Sequence, residues 1–217
     1  MDVQALIERY PTLYHMAERD TWSSIKARGL LSTSAVLDLY GVKGQHRLAF
    51  EREHRPEKVT VGPPGDQIII RDQKPMPPSR LAVALPSCIA PPDWYHFLNS
   101  KVFMWAEEHR LFGLLNARHY RNLEHDVLTI DTASLVAAHG ERIWLCPMNS
   151  GSAFRVPQRR NFQTFQRIRD YPSRKRSNAP AKEVVEVVVD YSIPDIVDHV
   201  EEVRRIRSST VLHQVPV

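Results

Sequence analysis

A carboxylate set in a run of valines asks for a chemical reason. Residues 182–196, KEVVEVVVDYSIPDI, hold Glu186 with valines on both sides, and Pro194 closes the run. An ionised carboxylate in apolar surroundings is costly unless it is paired or opens onto a cleft. The stretch is therefore an edge strand whose Glu183 and Glu186 face water, or a rigid strand that presents one carboxylate to a reaction. The two glutamates stand three apart, so on a strand they point to opposite faces and only one can serve a cleft. His15, within Leu13-Tyr14-His15-Met16, is a second candidate, set against the plainer assignment as a satisfied core histidine. Arg47, Arg52 and Arg55 recur in the charged segment 44–58. A guanidinium fork suits phosphate oxygens, and Glu51 and Glu53 could equally partner these arginines on a solvated helix face.

Charge is unevenly distributed. Residues 155–182 contain nine basic side chains, among them Arg159, Arg160, Arg174, Lys175 and Arg176, against one acid, Asp170. That segment carries +8 of a whole-chain +4, which leaves −4 elsewhere. A neutral-to-acidic body with one basic segment fits a localised anionic partner, nucleic acid or a multiply phosphorylated ligand. Phe154, Phe162, Phe165 and Tyr171 are interleaved with the arginines, and bases stack on such rings. The bland alternative is a solubilising loop.

The elements that position these residues are short. The pattern predicts helices over 2–10, 21–28 (capped by Asp20), 35–40 and 107–120, and a helix from Ala133 to His139 capped by Thr132. It predicts strands at 13–16, 68–70, 102–105, 126–131 and 143–146, and the valine run as a buried central strand. Gly29 reads as a helix C-cap. Residues 162–168 read as a short helix, 195–206 as a last strand or helix, and 208–217 as a loosely held tail. Short strands mixed irregularly with short helices predict an α+β fold in one domain over 1–217, with no internal repeat.

Composition narrows the classes. No apolar run is long enough to span a bilayer, and Met1-Asp2-Val3-Gln4 lacks the basic and apolar regions of a signal peptide. Cys88 and Cys146 lie in different surroundings and predict no structural disulfide, as expected of a cytoplasmic protein. The ten histidines form no HExxH or CxxC-type site, so no metal is expected, and neither a GxGxxG nor a Walker motif is present.

Three pieces resemble one family in order. Tyr14-His15 followed by Trp22, Ile25, Gly29, Leu30 and Leu31 resembles the opening of DarT-type DNA ADP-ribosyltransferases, which begin Tyr-His-Ile-Thr and continue into a helix, Gly and Leu. Glu186-Val187-Val188-Val189 resembles their closing strand, with Pro194 eight residues after the glutamate as in the family. A basic loop precedes that strand in both. Glu51-Arg52 with Arg55, and Val102-Phe103-Met104-Trp105, are weaker parallels. The family's threonine two residues after the histidine is Ala17 here.

The resemblance implies an ADP-ribosyltransferase-like split antiparallel sheet gripping NAD as co-substrate, and transfer of ADP-ribose to nucleic acid, DNA bases first. Glu186 would stabilise the cationic centre left when the nicotinamide bond breaks. His15 would hold a ribose, and Arg52 the pyrophosphate or transition state, with Arg47 or Arg55 able to take that role. Tyr14 and Trp105 would stack on a ring of NAD or simply pack in the core. Arg159, Arg160, Arg174, Lys175 and Arg176 would face the acceptor, and the resemblance also implies an antitoxin partner. The rival expectations are the same fold acting on a protein or an RNA 2′-phosphate, and a non-enzymatic nucleic-acid-binding module. An HD-type phosphohydrolase built on His125-Asp126 is set aside, since that pair opens a strand.

Overall fold

Short polar residues set where several helices begin. In the computed structural model, which describes residues 1–154, 158–172 and 183–217, Asp2 accepts the Ala5 N–H at 2.7 Å at the head of α1 (Val3–Arg9). Strand β1 (Thr12–Glu18), α2 (Trp22–Arg28), β2 (Leu30–Leu31), α3 (Thr33–Leu39) and α4 (Gly44–Arg52) follow. Ser32 caps α3 by accepting the Ala35 N–H at 3.2 Å. Next come β3 (Val59–Val61), β4 (Ile68–Ile70), α5 (Pro78–Ala84), α6 (Pro91–Asn99), β5 (Lys101–Trp105), α7 (Glu108–Leu115), β6 (Glu124–Asp131) and α8 (Thr132–His139). The chain ends with β7 (Ile143–Cys146), β8 (Gln166–Arg167), β9 (Glu186–Asp190), β10 (Ser192–Ile193), β11 (Val200–Arg207) and β12 (Thr210–Val215).

Eight strands make one antiparallel sheet in the order β12-β11-β6-β1-β5-β9-β7-β8. The helices and this sheet make an α+β fold. Strand β9 lies between β5 and β7, and both faces of the sheet are covered there. Val187 and Val189 enter the main core with Met104 and Leu128, whereas Val188 packs on the other side with Trp94, Tyr95 and Phe165. Burial on both faces is why the strand reads as a continuous apolar run. No helix among the described residues is long and apolar enough to cross a membrane. Cys88 and Cys146 are both free thiols.

Gly29 ends α2 at φ 81° and ψ 175°, a conformation largely restricted to glycine. A Cβ there would stand 2.5 Å from Pro194 Cα and 2.6 Å from the Ile193 carbonyl oxygen, because β10 pairs with β2 at this point. Gly29→Ala therefore meets backbone rather than a movable side chain. A loss of about 3 kcal/mol is expected, the upper end for such backbone strain, measured by urea unfolding. A loss below about 1 kcal/mol, the level of ordinary glycine entropy effects, would show that β2 and β10 separate freely.

Several expected boundaries shift. The tail is not loose, since β12 pairs with β11 along its length. Asp131, not Thr132, caps α8, accepting the Ser134 N–H at 2.7 Å. Asp20 does not cap α2 either: it sits at φ 64° and turns its carboxylate to Arg205 at 2.6 Å. Residues 162–168 form two short 3-10 turns around β8 instead of one helix. Helix α7 stops at Leu115, shorter than the pattern implied. Glu186 is the first residue of β9.

Candidate functional site

The sheet parts between β1 and β5. These strands share one register pair, Tyr14 opposite Trp105, whereas β1 pairs with β6 along its whole length. A cavity of about 680 Å³ lies here, lined by residues that include His15, Arg71, Phe103, Trp105, Ser150 and Glu186. Its size is within the range of small-molecule and cofactor pockets. His15 reaches across the parting to the Phe103 carbonyl at 2.8 Å. A carbonyl can only accept, so Nδ1 carries the proton and Nε2 is left as an acceptor. Burial is the main force that lowers the His15 pKa, to about 4. The Arg71 charge acts in the same direction and the Phe103 bond opposes it. The imidazole is neutral at physiological pH.

Glu186 stands on the same cavity wall. Its Cα partners are Trp105 on β5 and Cys146 on β7, so Tyr14, Trp105, Glu186 and Cys146 form one row across the sheet. The side chain is 4% exposed. The Ser150 N–H donates to both carboxylate oxygens, at 3.1 and 3.2 Å. Burial pushes the Glu186 carboxyl up to about 7, against the opposing pull of Ser150, the Cys146 thiol and Arg160. Such a group is half ionised near neutrality, as a general base or charge stabiliser requires. Glu183 is different: it is exposed and paired with Arg110 at 2.9 Å.

The arginines fall out otherwise than the sequence implied. Arg47 bonds to Glu51 and Asp38, and Arg52 to Asp93 at 2.8 Å, half exposed. Neither lines the cavity. Both lie on α4, and carboxylates answer both: Glu51 of the same helix takes Arg47, and Asp93 of α6 takes Arg52. Arg55 does line it, but its nitrogens are occupied by the carbonyls of Arg71 and Phe50 and by Asn99 Oδ1. Burial lowers its pKa to about 10. The residue that the sequence reading missed is Arg71, directly after the three isoleucines of β4. It lines the cavity, lies over the Tyr120 ring at 5.3 Å, and its two terminal nitrogens are buried with no hydrogen-bond partner among the described residues. Buried guanidinium nitrogens without an acceptor are costly, and an anionic ligand would answer them. The one available signal was a charged pair, Arg71-Asp72, abutting an apolar strand.

Trp105 lines the cavity. Tyr14 does not. It packs with Trp105, Met16 and Leu111 and shares a hydrogen bond with Thr12 Oγ1 at 2.9 Å, a core role. In the basic segment Arg159 is exposed. Arg160 is buried and bonded to backbone carbonyls, so it faces no acceptor. Arg174, Lys175 and Arg176 lie outside the described residues. Ser150 was read only as part of a turn. A polar Asn-Ser-Gly turn directly after a buried strand was the clue to it.

A second cluster lies elsewhere. His139, Asp195 and His199 each offer a ligand atom within 4.8 Å of the others. Arg142 donates to His139 Nδ1 at 2.7 Å. That bond leaves the His139 proton on Nε2, directed at Asp195 Oδ1 2.6 Å away. With its lone pair so used, His139 is a donor in a hydrogen-bonded chain and offers no atom to an ion in this arrangement.

The model of a family of unknown function, DUF7002, matches residues 11–200. The chain belongs to that family. The match runs from β1 to the start of β11 and takes in every cavity-lining residue named above. No curated protein matches the chain.

Proposed function

We propose that this DUF7002 protein is an NAD-dependent mono-ADP-ribosyltransferase acting on nucleic acid, with Glu186 as its catalytic carboxylate. The observation that carries the reading is a buried glutamate, raised to about 7, on the wall of the cavity where the sheet parts. Cleavage of the nicotinamide bond of NAD leaves positive charge on the ribose. An ionised Glu186 in a water-poor site is suited to stabilise that charge and to accept a hydrogen bond from a ribose hydroxyl. The Ser150 N–H holds both carboxylate oxygens and so fixes the group's direction. Neutral His15, with Nε2 free to accept, would take a second hydroxyl. Arg71 takes the phosphate role that the sequence resemblance gave to Arg52. The exposed Arg159 and the wider basic segment, rich in phosphate-pairing side chains, support a polyanionic acceptor. Proteins of this chemistry can require a neutralising antitoxin, and one is proposed here.

Incubating the protein with NAD labelled on adenine, alongside separate DNA, RNA and protein pools, tests the reading. Label in the DNA pool is expected. Nicotinamide release without label in any pool would leave a hydrolase, and no NAD turnover would remove the proposal. Arg71→Gln is expected to weaken NAD binding by about tenfold to a hundredfold, the scale of one charge-assisted contact, by calorimetry, with the fold intact. Unchanged affinity would free Arg71 of that role. The presence of Arg71 at the cavity also favours, in second place, removal of an RNA 2′-phosphate. That chemistry would survive Glu186→Gln.

A further inference from the structure

The geometry points to Arg160 as a positioning residue that acts on Glu186 through residues 149–152, without touching the reacting atoms. Arg160 lies in the basic segment, yet it is 5% exposed. Its Nη1 donates to the Ser150 carbonyl at 2.8 Å and to the Asn149 carbonyl at 3.5 Å. Its Nη2 donates to the Ser152 carbonyl at 2.8 Å, and its Nε to the Gln158 carbonyl at 3.1 Å. The residue's own N–H donates to the Ala84 carbonyl at 3.0 Å. A guanidinium fork usually meets a carboxylate or phosphate. Here both terminal nitrogens hold one short turn from inside.

That turn carries the donor to the carboxylate. Ser150 is 1% exposed, and its N–H is the backbone bond to both oxygens of Glu186. Buried carbonyls that lose their donor carry a desolvation cost, so the turn without Arg160 has reason to rearrange. The Arg160 charge acts on Glu186 directly as well, favouring its ionised form against burial. Among the described residues, the other titratable group acting on Glu186 is the Cys146 thiol from β7, itself pushed up by burial. Trp105, the partner on β5, does not titrate. Both effects of Arg160 keep Glu186 anionic and aimed.

The inference rests on Glu186 being the reactive group, but one arm of its test does not. The side-chain carboxyl of Glu186 is titrated by carbon-detected NMR in the apo protein, in wild type, Arg160→Gln and Arg160→Lys. The midpoint is expected to move to higher pH in Arg160→Gln and less far in Arg160→Lys, which keeps a charge but cannot fork. An upward move of about one unit lowers the ionised fraction at pH 7 about fivefold. Turnover at pH 7 should fall by that factor and recover as pH is raised. A residue that merely supports folding would lower turnover equally at every pH and leave the midpoint in place. An unshifted midpoint in the folded variants overturns the inference, and Arg160→Lys alone decides it if Arg160→Gln does not fold. If no acceptor or turnover is found, the proposed function fails while the titration still reads the Arg160 to Glu186 link.

Discussion

Glu186→Gln should lower single-turnover transfer from NAD by about a hundredfold or more, the scale of a well-placed electrostatic group. The amide keeps the size of the side chain and can keep a hydrogen bond, but it carries no charge. The wild-type rate should rise with pH through a midpoint near 7, where the buried Glu186 ionises. The residual rate of the variant should lack that rise. Stability moves the other way. A carboxyl whose folded value is about 7, against an ordinary value of 4.5, holds its proton longer in the folded state. Between those values the folded chain binds more protons, so its stability falls as pH rises, and above about 7 the loss is complete. Glu186→Gln should remove this slope and unfold at slightly higher denaturant than wild type above pH 7. Glu183→Gln, at an exposed and ion-paired site, should be mild by comparison. Near-normal transfer by the Glu186 variant would sink the assignment.

Arg205→Met should cost about 3–5 kcal/mol, the range for removing one partner of a buried ion pair. Arg205 is 5% exposed and Asp126 fully buried, and Nε donates to Asp126 Oδ1 at 2.6 Å. The pair bridges the neighbours β6 and β11. Its second bond, to Asp20, lies at the exposed turn before α2 and should matter little on its own. Without Arg205 the Asp126 charge is stranded, and its Oδ2 already lacks a hydrogen-bond partner among the described residues. For a chain of this size the loss corresponds to a fall of about 6–20 °C in Tm. Adding Asp126→Leu should restore much of it, since replacing both partners by apolar groups can be neutral. A loss under about 1 kcal/mol for Arg205→Met would place the pair in the surface class. The position was legible only as His125-Asp126 opening a strand. Its partner lies 79 residues away.

Local pattern carried much of the architecture. The valine run announced a strand buried on both faces, and β9 lies between two neighbours with both faces packed. Tyr14-His15 announced a first strand, and that strand is where the sheet parts. Gly29 and Pro194 were read separately, as a cap and a stop. The fold presses them together, with no room for a Cβ between them. Burial cost also singled out Glu186 from one sequence, because the penalty for a carboxylate among valines is a local property. Pairing of charge is not local. Arg47, Arg52 and Arg55 looked alike in one charged segment. Whether a guanidinium is answered by a carboxylate, by carbonyls or by nothing depends on chain that is distant in sequence. Asp93 takes Arg52, Asn99 and two carbonyls take Arg55, and the terminal nitrogens of Arg71 meet no hydrogen-bond partner among the described residues. Arg160 shows the same limit: composition placed it with an outward basic patch, and packing turned it inward onto the Ser150 turn. Periodicity and desolvation act along the chain and can be read from it. The partner of a long, flexible cation is chosen by three-dimensional proximity, and that choice is made in the folded state.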